Sequence, residues 1–229
     1  MNTEIKQFTI GILILVLLGG IAAYCNTLGA AAAKPIRVAC VGDSITQGSG
    51  YPNKLQMLLG SDYTVGNFGV SGSTVSLNST IPYMNQSAFK KAEAFDPQIV
   101  VIMLGTNDAN PEIAHSENDF QMDFTELVNS FAGLDGDQQI YVVKSPPIFS
   151  TTSSYNNTYL ANSVLPQVDN VANKMNLPTV DMYNAFGDHS DYFMDGVHPN
   201  AQGATLIAYN VYDAITLPDG SPNINDSGT

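Results

Sequence analysis

Five positions carry the chemistry this sequence can do: Ser44, Gly69, Asn107, Asp195 and His198. Ser44 follows the apolar run Val38–Val41 and a Gly-Asp pair, the pattern of a buried strand that stops in a tight turn and holds up a hydroxyl. Acyl-ester hydrolysis needs an activated nucleophile, a base to take its proton, and donors aimed at the oxyanion of the tetrahedral intermediate. Ser44 offers the hydroxyl. His198 offers the base, because a free imidazole titrates at about 6.5 and exchanges protons near neutral pH. Asp195 lies three residues earlier in DGVHP, where a turn sets a carboxylate against Nδ1 and leaves Nε2 facing the serine. For the oxyanion hole the candidates are the Ser44 N–H, the N–H of Gly69 at the end of a second strand, and the side-chain amide of Asn107. Taken singly, each is an ordinary turn residue. The set gains meaning only if the fold brings its members together.

The elements that would do so alternate along the chain. Strands are expected at 36–41, 63–68, 98–104, 140–143 and 178–182, and helices at 51–59, 86–95, 116–134, 160–175 and 201–215. The run QIVVIML (98–104) has no alternation, as befits a central parallel strand covered on both faces. The stretch 71–83 reads as polar and irregular. Strands alternating with helices predict a single-domain α/β fold, a parallel doubly wound sheet whose forward strand ends share one edge. The loops after strands one, two, three and five then converge.

Composition narrows the partners. With 44% hydrophobic and 13% charged residues the chain is globular, and 21 acidic against 8 basic residues give a net charge of -13. That field opposes nucleic acid, and at long range it also disfavours an anionic polymer unless a local basic pocket overcomes it. No His, Cys, Asp or Glu cluster has metal-ligand spacing, no phosphate-cradling glycine loop follows the first strand, and no cofactor is expected. His115 and His189 read as surface or structural. Asp43 reads as a brace for the turn, and Cys40 as a small buried hydrophobe.

Residues 1–33 read as a signal peptide, with an apolar run at 8–23 and small residues at 30–33; an uncleaved membrane anchor is the competing reading. Export to the periplasm or medium is expected, and a membrane partner only if the segment is retained. Residues 34–217 form the catalytic domain, and 218–229, rich in Pro, Gly, Asn and Asp, a disordered tail.

The blocks GDSIT (42–46), NFGVSG (67–72), GTND (105–108) and DGVHP (195–199) stand in the order of the SGNH hydrolases, also called GDSL esterases and lipases, which this chain resembles. The resemblance implies a three-layer α/β/α sandwich with a five-stranded parallel sheet, a Ser44, Asp195, His198 triad, and an oxyanion hole of Ser44, Gly69 and Asn107. Asp195 is the least essential of these, since some members dispense with the carboxylate. The text between the blocks (YPNKLQMLL, PYMNQSAFKKA, HPNAQGA) is similar to secreted sialate O-acetylesterase-like carbohydrate esterases. This implies removal of short acyl groups, acetyl above all, from a small-molecule or glycan ester. Alternatives are a lysophospholipase or thioesterase and a glycan O-acetyltransferase. Relatives carry tryptophan near positions 84 and 113, whereas this chain has none; Tyr51, Tyr83 and Phe149 are the candidates for a sugar-stacking platform.

Overall fold

The computed structural model describes residues 34–113, 116–151 and 154–217. The predicted leader, the C-terminal tail and His115 lie outside the described residues. Strands β1 (Ile36–Gly42), β2 (Tyr63–Gly69), β3 (Ile99–Met103), β4 (Gln139–Lys144) and β5 (Thr179–Asp181) form one sheet in the order β2-β1-β3-β4-β5. Every pairing is parallel. The chain winds outward from β1 to β2, then returns across β1 to β3. This reversal opens a crevice at the carboxyl ends of β1 and β3, the place where such sheets hold ligands.

Side chains alternate across the central strand and divide the core in two. Val100 and Ile102 face a layer built from Phe89, Phe120, Phe124, Leu127, Val168 and Val171. Val101 and Met103 face the layer of Leu55, Phe186, Ile207 and Val211. The expected three-layer sandwich and five-stranded parallel sheet are therefore observed. Tyr51–Leu59 forms the predicted helix, and Glu117–Ala132 buries five apolar residues at helical spacing behind a Ser116/Asp119 capping box. Cys40 is fully buried, and burial pushes its thiol up to about 12, so it packs as a hydrophobe.

Two regions differ from expectation. The helix predicted over 160–175 begins with a π turn, Leu160–Val164, before the regular turns Leu165–Lys174. Pro166 has no N–H to give the preceding turn, which fits a wider loop of backbone at that point. The stretch 71–83 is not loosely organised: Ser73, Thr74, Val75 and Ser76 are all buried. The buried Asp108 carboxylate accepts the N–H of Val75 at 3.0 Å and of Ser76 at 2.9 Å, anchoring this segment to the end of β3.

Candidate active site

Ser44 opens the five-residue helix Ser44–Gly48, directly after β1. The Asp43 side chain caps it by accepting the Ile45 N–H at 2.9 Å, the bracing expected from sequence. Asn67 at the end of β2 stitches the helix down. Its Nδ2 donates to the Thr46 carbonyl at 2.9 Å, while Gln47 Oε1 accepts the Ser71 N–H at 2.9 Å. The hydroxyl is thus fixed by two strands and the loop beyond them.

His198 Nε2 lies 2.9 Å from Ser44 Oγ, and its Nδ1 lies 2.7 Å from Asp195 Oδ2. The other Asp195 oxygen accepts the N–H groups of Val197 at 2.9 Å and His198 at 2.8 Å, so the carboxylate closes its own turn. Burial pushes the Asp195 carboxyl up, but these N–H donors and the imidazole outweigh it and bring it down to about 2. It is an anion at every pH where an esterase works. The turn is held from behind as well. Met194 N–H donates to the His198 carbonyl at 2.9 Å, and Asn200 caps the helix Ala201–Thr216.

Asn107 is nearly buried at 4% exposure, and its amide points inward. One N–H is held by the Ser73 carbonyl at 2.9 Å, and the amide nitrogen also reaches Asp43 Oδ2 at 3.4 Å. Burial pushes the Asp43 carboxyl up to about 7 against the opposing pull of the Ile45 N–H, with Asp108 adding to the rise. The Ser73 carbonyl and the Asp43 carboxyl fix which way the Asn107 amide is turned.

Gly69 ends β2, as expected, but its N–H is not free for an oxyanion. Its N–H is taken by Asn67 Oδ1 at 3.0 Å, inside the ladder that pairs it with Gly42. A Cβ there would lie 2.3 Å from the Gln47 nitrogen and 2.8 Å from the Asp43 carbonyl oxygen. The residue is glycine so that β2 can pass beneath the helix carrying Ser44. Gly69→Ala is expected to destabilise the fold by about 1–3 kcal/mol, since backbone rather than a flexible side chain must yield. Urea denaturation measures this, and a midpoint equal to wild type would contradict the packing role.

The glycine that lines the site is Gly72. It has φ +76°, the left-handed region that glycine enters without penalty, and it borders a cleft together with Asn107. Among the described residues neither the Gly72 N–H nor the Ser44 N–H has a hydrogen-bond partner. The sequence held no signal for this choice: with the strand expected to end at 68, Gly69 is the first glycine beyond it, and only the observed ladder extends through Gly69.

The proposed aromatic platform is also corrected. Tyr51 and Tyr83 are fully buried, with Tyr51 Oη 3.3 Å from Thr46 Oγ1 and Tyr83 Oη donating to the Phe68 carbonyl at 2.8 Å. Neither ring can meet a sugar. Phe149 packs against Phe193 with ring centres 5.2 Å apart. The aromatic residue that borders the cleft is Tyr155. His189 lies apart from the site, stacked on Tyr192.

Relatives share this architecture. Residues 40–206 match the model of the GDSL-like Lipase/Acylhydrolase family. An acetylxylan esterase from Xylanibacter ruminicola is 33% identical over 206 residues, covering 79% of this chain. The chain spans only 43% of that protein's length. Among solved structures, the M. smegmatis aryl esterase superposes with a TM-score of 0.65 at 19% identity, covering 79% of this chain and 98% of the other. Est24, a carbohydrate acetylesterase from Sinorhizobium meliloti, gives the same values. The acetyl xylan esterase AlAXEase gives a TM-score of 0.65 at 18% identity, covering 79% of this chain and all of its own. These structures share the fold, and the sequence blocks at its strand ends match the family model: the chain belongs to the GDSL-like lipase/acylhydrolase family.

Proposed function

We propose that this protein is a serine esterase that removes short acyl groups, acetyl above all, from carbohydrate esters outside the cytoplasm. The observation that carries the reading is the continuous relay from Ser44 Oγ through both ring nitrogens of His198 to Asp195, with contacts of 2.9 and 2.7 Å. Ser44 Oγ attacks the ester carbonyl as its proton passes to His198 Nε2. The imidazolium that forms is stabilised across Nδ1 by the Asp195 carboxylate. Negative charge on the carbonyl oxygen meets the N–H groups of Ser44 and Gly72, and an Asn107 N–H that gives up its longer, 3.4 Å contact to Asp43 to reach it. Collapse expels the sugar hydroxyl, which takes the proton from His198. Water then attacks the acyl-enzyme by the same route in reverse and releases acetate.

The carbohydrate part is supported by the acetylxylan esterase relative and by the polar lining of the cleft beside Gly72 and Asn107. The apolar leader supports the location. A test compares p-nitrophenyl acetate with p-nitrophenyl octanoate, with Ser44→Ala as control. Acetate is expected to be cleaved at least about tenfold faster, since an eight-carbon chain would lie against the polar side chains of Asn78, Ser79, Thr80, Asn110 and Glu112 without pairing them. A preference for octanoate would transfer the function to lipid or thioester hydrolysis.

A further inference from the structure

A cleft of about 690 Å³ is lined by Gly72 and Asn107, two of the proposed oxyanion donors. An acetyl group needs only a small fraction of such a volume, which is in the range of sites for whole ligands. Its walls carry the polar run 78–80, Asn110, Glu112 and Tyr155, beside the apolar side chains of Leu77, Ile81 and Ile113. Amides and hydroxyls that both donate and accept, beside one aromatic ring, match the alternating hydroxyl and C–H faces of a sugar. Tyr155 is tied to the loop after β3, because the Asn156 N–H next to it donates to the Ala109 carbonyl at 3.0 Å.

The charge of the cleft is one-sided. Glu112 is exposed in its wall. Among the described residues no Lys or Arg lines it. The Lys and Arg side chains of residues 35–217 are held elsewhere. Arg37 sits near the start of β1, on the opposite edge of the sheet, bound to Asp96 at 2.6 Å. Lys144 reaches the correct edge but lies between Asp169 and Asp181, at 3.2 and 2.8 Å. Lys54, Lys90, Lys91 and Lys174 lie on outer helices. The local basic pocket that could overcome the net charge of -13 is absent from the lining of this cleft.

Resting on the esterase reading above, we infer that this cleft seats uncharged sugar residues of an acetylated glycan and rejects chains bearing carboxylates, with Glu112 setting that choice. A uronate or sialate entering here would shed water beside a like charge, whereas a neutral pyranose would not.

The test uses one backbone in two charge states. Acetylated oligogalacturonide is offered with its carboxylates free and after methyl esterification, and acetate release is measured for wild type, Glu112→Gln and Glu112→Lys. Wild type is expected to favour the uncharged form by about tenfold or more in kcat/KM at low salt, with the ratio shrinking as salt rises. Glu112→Lys is expected to lower that ratio by about tenfold, and Glu112→Gln by an intermediate amount. Glu112 is exposed, so the substitutions do not disturb the core. Equal rates on both forms in wild type, or the same ratio in all three proteins, would overturn the inference. Wild-type hydrolysis of p-nitrophenyl acetate, lost in Ser44→Ala, keeps these outcomes separate from failure of the esterase reading itself.

Discussion

Alanine at Ser44 is expected to lower turnover of p-nitrophenyl acetate by about 10⁴- to 10⁶-fold, with circular dichroism and urea midpoint unchanged. The hydroxyl is half-buried and makes one side-chain contact, to His198 Nε2 at 2.9 Å, so its removal takes little from the fold and everything from the attack step. His198→Ala is expected to fall to a similar level, because an unassisted serine hydroxyl is a poor nucleophile at neutral pH. The double variant should be no slower than either single one. Base and nucleophile act as a unit, and losses within a unit do not add. Single variants whose losses multiplied in the double variant would mean that the two residues act in separate steps.

The next largest effect is expected at Asn107. Asn107→Ala should lower kcat by about 10²- to 10³-fold with little change in KM, since the amide is used only when charge develops on the carbonyl oxygen. A near-normal rate in folded protein would remove Asn107 from the oxyanion hole. Asp43→Asn supplies a companion measurement, because the Asp43 carboxylate helps to orient that amide. An amide at 43 presents a donor to a donor, and turnover is expected to fall between about tenfold and a hundredfold.

Stability should move the opposite way in Asp43→Asn. Burial raises the Asp43 carboxyl to about 7 in the folded protein, above the value of about 3.9 in an unfolded chain. The folded state therefore holds this proton more tightly. Its contribution to stability is complete below about pH 4 and is lost as pH rises through about 7. Asparagine removes the buried charge, so the variant is expected to be more stable than wild type at pH 8, by on the order of 2 kcal/mol. Urea denaturation at pH 5 and pH 8 checks this; a variant less stable at pH 8 would mean that the carboxylate is well solvated or paired.

The strand ends were readable from local sequence because each is a change of pattern. IRVACVG and IVVIM are apolar runs that stop at polar turn residues, and Tyr51, Leu55 and Leu59 repeat at helical spacing. Ser44, Asp195 and His198 are legible as candidates for that reason, together with the short DGVHP turn. What the sequence hid depends on contacts between distant segments. Gly69 and Gly72 are three residues apart in one block, and only the passage of β2 beneath the Ser44–Gly48 helix distinguishes them. Asp108 has no visible role in GTND until Val75 and Ser76 are seen donating to it. Tyr51 was legible in principle, since it shares the buried face of its helix with Leu55 and Leu59. Tyr83 carried no such periodic signal, as it lies in a short 3₁₀ turn after Pro82.

The most direct test of the central claim, that Ser44 is an activated nucleophile, is covalent labelling with diethyl p-nitrophenyl phosphate followed by peptide mass spectrometry. One equivalent of p-nitrophenol should be released, with a single diethylphosphoryl group on the peptide containing Ser44. His198→Ala should label at least about a hundredfold more slowly, having lost its general base. Label on another residue, or none while the ester is still being cleaved, would contradict the account.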